Sequence, residues 1–175
     1  MKKKIPKKIT LDSLEKSAIK YLEKYTVSEY QLIKVLRRKI IKTSFFYKTK
    51  PEKDFDLIKL IIKKFKEIRL IDDKAFSENK VLTYIDKGYS KKKIIFNLKS
   101  KGISDENIQK GIDNLEKSFV NFELISALIY ARKKKIITFK KKEKDSYLDK
   151  KKLLQMSQAG FSYDIAKKII NLNSE

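Results

Sequence analysis

The stretch Ser28–Lys39, SEYQLIKVLRRK, comes back further along the chain as Ser90–Lys101, SKKKIIFNLKSK. Both copies open on Ser and carry an aliphatic pair, Leu32-Ile33 or Ile94-Ile95. Both follow with Leu36 or Leu98 and end on Lys. Ser28 and Gln31 stand at the spacing of a capping box, where each side chain satisfies a backbone N–H at the helix start. Leu32, Val35, Leu36 and Ile40 then recur every three or four residues, the period of one helical face. Upstream, Tyr21-Leu22-Glu23-Lys24 pairs, with one gap, with Tyr84-Ile85-Asp86-Lys87. Downstream, Gly102-Ile103-Ser104 with Ile108 and Ile112 is echoed, with one gap, by Gly160-Phe161-Ser162 with Ile165 and Ile169. Amphipathic helices often match one another by chance. Shared starts and stops at both ends argue for a true internal repeat.

Working outward, the same rules predict nine helices. The first runs from about Asp12 to Tyr25 and the second starts at Ser28. A connector from Thr43 to Lys53, closed by Pro51, holds the aromatic run Phe45, Phe46 and Tyr47, expected to pack over the first unit. The third helix starts near Asp54 and turns Leu57, Ile61, Phe65 and Ile68 inward. The fourth opens at Asp72-Asp73, carries Ala75, Phe76, Leu82 and Ile85, and stops at Gly88. The fifth runs from Ser90 to Gly102 and the sixth opens at Ser104. The seventh spans about Asn121–Lys134 with Leu124, Ile125, Leu128 and Ile129 inward. The eighth spans Ser146–Ala159 with Leu153, Leu154 and Met156. The ninth opens at Ser162 with Ile165, Ile169 and Leu172. Ser at the start and Gly past the end is the asymmetry of short helices. A short triplet is barely stable alone, so neighbours must bury each other's apolar edges. The expected architecture is all-α, with three tandem three-helix repeats over residues 10–70, 71–118 and 119–175 forming a curved elongated body.

Composition agrees with helices. The 175 residues are 41% hydrophobic, enough for a core, and include only 4 Gly and 2 Pro, few breakers for a fold built on turns. With no Cys and no His, disulfides, thiolate or imidazole metal sites and Ser-His-Asp or Cys-His nucleophiles are excluded. There is no Gly-rich phosphate loop. The one adjacent acidic pair that invites a metal or acid–base reading, Asp72-Asp73, is explained by a helix start, one residue capping and the next in the first turn. The chain is therefore read as no enzyme, with no cofactor. The basic opening residues are followed by no apolar run, so the expected location is the cytoplasm, with no membrane contact.

The net charge of +22 favours a polyanionic partner. Heavy use of Lys and Ile also follows from an A/T-rich coding sequence, so charge alone does not decide. Lys91, Lys92 and Lys93 fall in the first turn of the fifth helix, against its dipole. A partner phosphate or carboxylate would explain them, and so would plain solvation. Lys99 and Lys101 lie further along. Arg132, Lys133 and Lys134, then Lys140 and Lys141 around Phe139, form the densest basic segment, either a phosphate-and-base contact or a solvated loop. Arg37 and Arg38 occupy the matching second helix. Lys suits phosphate better than base edges, which leaves sequence-specific DNA reading weak.

The order of these boxes resembles the RecX family. Leu70-Ile71-Asp72-Asp73, Ala75-Phe76, Gly88-Tyr89-Ser90, Ile94, Leu98 and Lys101-Gly102-Ile103-Ser104-Asp105 with Ile108 look like its central signature. Met156 to Ile165 resembles its terminal box, and Ala18 to Lys39 its first unit. The first unit departs from the pattern, with the aromatic connector where Lys-Gly is usual. The terminal box has Gln158-Ala159 where Arg is common. The resemblance implies a monomeric regulator lodged in the groove of a RecA recombinase filament on single-stranded DNA, reaching that DNA through the filament. It further implies limits on filament extension, ATP hydrolysis and strand exchange. The expected contacts are Arg37, Arg38, Lys91, Lys92, Lys93, Lys99, Lys101, Arg132, Lys133, Lys134, Lys140 and Lys141. The alternative is a non-sequence-specific nucleic-acid-binding helical protein that works without a recombinase.

Overall fold

The structure, a computed structural model, describes residues 6–137 and 146–172. Among them are nine α-helices and one short 3-10 turn, Pro51–Asp54, and no strand. The helices are α1 (Leu11–Leu22), α2 (Glu29–Tyr47), α3 (Phe55–Glu67), α4 (Asp73–Asp86), α5 (Lys91–Ser100), α6 (Asp105–Ser118), α7 (Phe122–Lys133), α8 (Ser146–Gln158) and α9 (Tyr163–Asn171). They follow one another as three tandem three-helix repeats. No helix among the described residues is long and apolar enough to cross a membrane.

The chain forms two compact units. One takes the residues up to Phe76 together with Lys101–Ile103; the other takes Ser77–Ser100 and the residues from Ser104 onward. In the first, α1, α2 and α3 close around Leu14, Ala18, Leu32, Leu36, Ile40, Ile61 and Phe65, all at most 1% exposed. In the second, Ile94 and Leu98 of α5 and Ile108, Ile112 and Leu115 of α6 are buried. At its far end α7 and α8 pack on α9 through Ala127, Ala131, Met156, Phe161 and Ile169. On α7 the fully buried apolar residues are Ala127 and Ala131; the expected Leu124 and Leu128 pack half-buried against the same cluster, whereas Ile125 is exposed.

Other expectations are corrected in the same way. Leu82 and Leu154 are exposed; Val81, next to Leu82, is the buried residue, and Met156 is buried as expected. One residue along a helix turns the side chain by about 100°, and a run of aliphatics hides which neighbour faces in. Ile68 and Leu172 are helix C-caps and face solvent. The connector does not begin at Thr43. Thr43 and Ser44 are buried on the continuing inner face of α2, which runs to Tyr47 and stops where Lys48 turns left-handed.

The predicted caps form. Ser28 and Gln31 make a reciprocal capping box, and the hydroxyls of Ser104 and Ser162 accept the N–H groups of Asn107 and Ile165. Two of the cap serines do more. Ser28 Oγ, while capping α2, donates 2.5 Å to the carbonyl of Lys101. Ser90 Oγ accepts from the N–H of Lys93 and donates 2.7 Å to the carbonyl of Ala159. Each receiving carbonyl directly precedes a left-handed glycine, Gly102 (φ +76°) or Gly160 (φ +92°). The turn after α8 shows why a donor is needed. Gly160 N–H bonds Ser157, and Phe161 N–H bonds Met156. The Ala159 carbonyl belongs to the helix end that has no helical partner of its own, and it takes the Ser90 hydroxyl.

The glycines are required by the same contact. A Cβ on Gly102 would lie 2.3 Å from Cβ of Tyr30, and one on Gly160 would lie 2.6 Å from Ser90 Oγ. A carboxylate completes each joint. Asp73, in the first turn of α4, accepts the Glu29 N–H at 2.8 Å. Glu123, in the first turn of α7, lies 3.4 Å from the Lys91 nitrogen and accepts its N–H. Equivalent atoms of successive repeats thus form two copies of one joint, the first within the first unit and the second within the second.

Aspartate is as good an N-cap as serine but, when ionised, cannot donate. Ser90→Asp therefore keeps the cap and loses the tie, and is expected to cost about 2 kcal/mol or more, because a buried acceptor is left unmet. Ser162→Asp, at a cap with no tie, is expected to stay within about 0.5 kcal/mol of the parent. Urea unfolding of the two variants measures this; equal effects would mean the hydroxyl acts only as a cap.

Candidate partner interface

The joints decide which of the sequence-selected cations face outward. Lys91 is half-buried, and its ammonium pairs with Glu116 at 2.7 Å. With Glu123 at its amide, the N-terminus of α5 receives its negative charge from residues of α6 and α7. The lysine that seemed to work against the helix dipole is therefore neutralised within the fold, which removes one reason to assign it an external anion. Lys93 places its ammonium 4.3 Å from the centre of the Tyr89 ring, a cation–π contact, and Tyr89 stacks on Tyr84 at 5.3 Å. Lys92, between them, is exposed. Lys99 pairs with Asp105 at 2.7 Å in an exposed bridge, a contact of small worth in water. Lys101 is half-buried, with its carbonyl in the first joint.

Arg132, Lys133 and Lys134 are exposed at the end of α7, and Lys133 donates 2.8 Å to the carbonyl of Asp86. Lys140, Lys141 and Phe139 lie outside the described residues. On α2, Arg37 and Arg38 are both exposed, and Arg37 also places its guanidinium carbon 4.8 Å from the Phe55 ring centre. Arg37 borders a cavity of about 640 Å³ floored by Ile33, Phe55, Ile58 and Ile62, with Lys59 and Lys63 on its rim. The structure thus gathers the α5 lysines on one helix, two of the three consecutive ones engaged internally. It places Arg37 and Arg38 on another helix, in the other unit.

Sequence reasoning assigned Asp72 correctly and Asp73 only in part. Asp72 caps α4 by accepting the Lys74 and Ala75 N–H groups at 2.9 and 3.0 Å. The Asp73 carboxylate instead reaches the start of α2. Burial raises its pKa above the ordinary value; the bond from the Glu29 N–H opposes this, and the nearby Glu29 carboxylate adds to the rise. Glu29 itself pairs with Lys66 at 2.8 Å, and that hydrogen bond raises the Lys66 pKa. No signal in the sequence foretold the Asp73 contact beyond the unusual adjacency of two aspartates. Among the described residues, no group of three or more Asp and Glu could hold a metal ion.

Fold and joints together define a tandem three-helix repeat protein with a strongly basic exterior. The model of "RecX, second three-helix domain" matches residues 72–112. That segment contains the acceptor side of the first joint, Asp73 and Lys101-Gly102, and the donor side of the second, Ser90. The regulatory protein RecX of Myxococcus xanthus is 28% identical over 171 residues, covering 97% of this chain and 90% of that protein. The regulatory protein RecX of Finegoldia magna is 38% identical, over 65% of this chain and 55% of its own length. The crystal structure of RecX from Lactobacillus salivarius superposes with a TM-score of 0.67 at 22% identity, over 92% of this chain and 94% of that one. The chain is thus similar to regulatory RecX proteins over nearly its whole length, and it shares their fold.

Asp73 gives a pH dependence of known sign. A carboxyl whose folded pKa lies above its unfolded value holds its proton more tightly in the folded state, so its ionisation lowers stability as pH rises above that unfolded value. Asp73→Asn keeps an acceptor oxygen for the Glu29 N–H and removes the charge. Its stability relative to the parent is expected to increase as pH rises from about 4 towards neutrality. Asp73→Ala removes the acceptor and is expected to cost about 1–2 kcal/mol at all pH values. Denaturation of the three proteins across this range checks both, and a flat difference between parent and Asp73→Asn would refute the assignment.

Proposed function

We propose that this chain binds RecA-type recombinase filaments on single-stranded DNA and restrains their extension, and with it the recombinase's ATP hydrolysis and strand exchange. The observation that carries this reading is the similarity to a regulatory RecX protein over nearly the whole chain. The net charge of +22 supports it. A nucleoprotein filament exposes phosphate and acidic side chains, and a basic repeat array is attracted to both. The reaction is regulatory: the chain supplies a rigid surface and the recombinase supplies the chemistry. It acts in the cytoplasm as a single copy.

Exposed cations that the fold does not employ are the best contacts. They are Lys92 on α5, Arg38 on α2, and Lys134 past α7. Lys91 belongs to the joint and contributes by holding α5 in place.

Added to RecA on single-stranded DNA, the protein is expected to depress ATP hydrolysis at well under one copy per recombinase. Lys92→Glu is expected to raise the amount needed severalfold with helix content unchanged. Loss of activity only at amounts that coat the DNA, falling steeply with salt, would point to simple competition for DNA and contradict the proposal.

A further inference from the structure

The C-terminal half of α2 carries a feature that neither the core nor the joints use. Its inner face, Leu32, Leu36, Ile40 and Thr43, is buried. Its outer face presents Arg38, Ile41, Lys42 and Phe45 at steps of three and four residues, so these side chains lie along one stripe. All four are exposed, and Phe45 is 88% exposed. Phe46 beside it is 53% exposed. Its ring stands edge-on to Tyr47 at 5.0 Å, and the Tyr47 hydroxyl donates 2.7 Å to the carbonyl of Pro6. Tyr47 is therefore the one member of the aromatic run that packs, and it fixes the backing for Phe46. The expectation that all three aromatics pack over the first unit is corrected here.

Charge on this segment has one sign. Between Glu29 and Glu52 there are seven basic residues and no acidic one. Lys48 and Lys50 stand two and four residues after Phe46 and are exposed. A ring as exposed as that of Phe45 adds little to the fold, and a pair of exposed rings flanked by cations is an arrangement that holds single-stranded nucleic acid. Every base has a flat face that can lie on a ring without a surrounding pocket. An aliphatic anchor from a protein would need concave walls, which a ring exposed to this extent lacks.

We propose that this end of α2 is a stacking site for single-stranded nucleic acid. Phe45 and Phe46 receive bases, and Arg38, Lys42, Lys48 and Lys50 hold the flanking phosphates. The site lies entirely in the first unit and does not rest on the recombinase reading. It gives the chain a hold of its own on the strand.

The sequence contains no Trp, so F45W places a single reporter in the full-length chain. A short oligothymidylate is expected to quench its emission. An abasic strand of equal length, with the same phosphates, is expected to bind more weakly and leave the emission unchanged. F45A/F46A is expected to lose at least about tenfold in affinity for oligothymidylate, since each stacked base contributes that order of binding, with helix content by circular dichroism preserved. Three results would each overturn the proposal. One is F45W emission unmoved by oligothymidylate that anisotropy shows to be bound. Another is F45A/F46A binding as tightly as the parent. The third is F45W emission that shifts on phosphatidylglycerol vesicles and not on the strand. The two assays can fail independently, because oligothymidylate binding is read with no recombinase present, and the recombinase assay is judged by inhibition at amounts too small to coat the DNA.

Discussion

A single hydroxyl group used in both directions holds the repeats in series. Ser28 and Ser90 each accept a backbone N–H at the start of a central helix and donate to a carbonyl of the next repeat. The receiving carbonyl is one that its own helix leaves unpaired, so both ends of this part-buried bond are satisfied. Around this bond the other requirements follow. Glycine must come next, because a side chain there would collide with Tyr30 or with Ser90 itself. A carboxylate from the first turn of the next repeat must meet the neighbouring amide. Hydrophobic burial supplies most of the driving force for packing, but it is non-directional. The paired polar contacts fix which turn meets which helix end.

Much of this was legible one piece at a time. The serines, glycines and aliphatic periods located all nine helices, because caps, stops and amphipathic spacing are local signals. The joints were not legible. Ser90 and Ala159 are 69 residues apart and Ser28 and Lys101 are 73 apart, and no local rule links a hydroxyl to a carbonyl at that distance. The repeat itself was the available clue. Residues that recur together, Ser at one end and Lys-Gly or Ala-Gly at the other, are candidates for meeting across repeats as well as for capping within them. Helix faces were misread where aliphatics stand side by side, as at Val81-Leu82, and at helix ends, where Ile68 and Leu172 fall on the cap. Thr43 and Ser44 read as a break because their polar side chains favour one, whereas burial on α2 overrides that preference.

The same distinction governs the candidate interface. Composition counts cations, and the fold sorts them. Lys91 balances Glu116, Lys93 covers Tyr89 and Arg37 lies over Phe55, so each has an intramolecular role. Lys92, Arg38 and Lys134 face solvent. The exposed stripe ending at Phe45 adds a chemistry that charge alone does not have. The joints fix the N-terminal ends of α2 and α5, the two helices that carry most of these residues.

Native-state hydrogen exchange on Ser90→Ala tests the central claim most directly. If the hydroxyl ties two repeats, protection should fall together at the first turn of α5 and at the Gly160–Phe161 turn, while α1, α2 and α3 keep parental rates. A loss confined to the first turn of α5 would show that Ser90 is only a helix cap and would contradict the account.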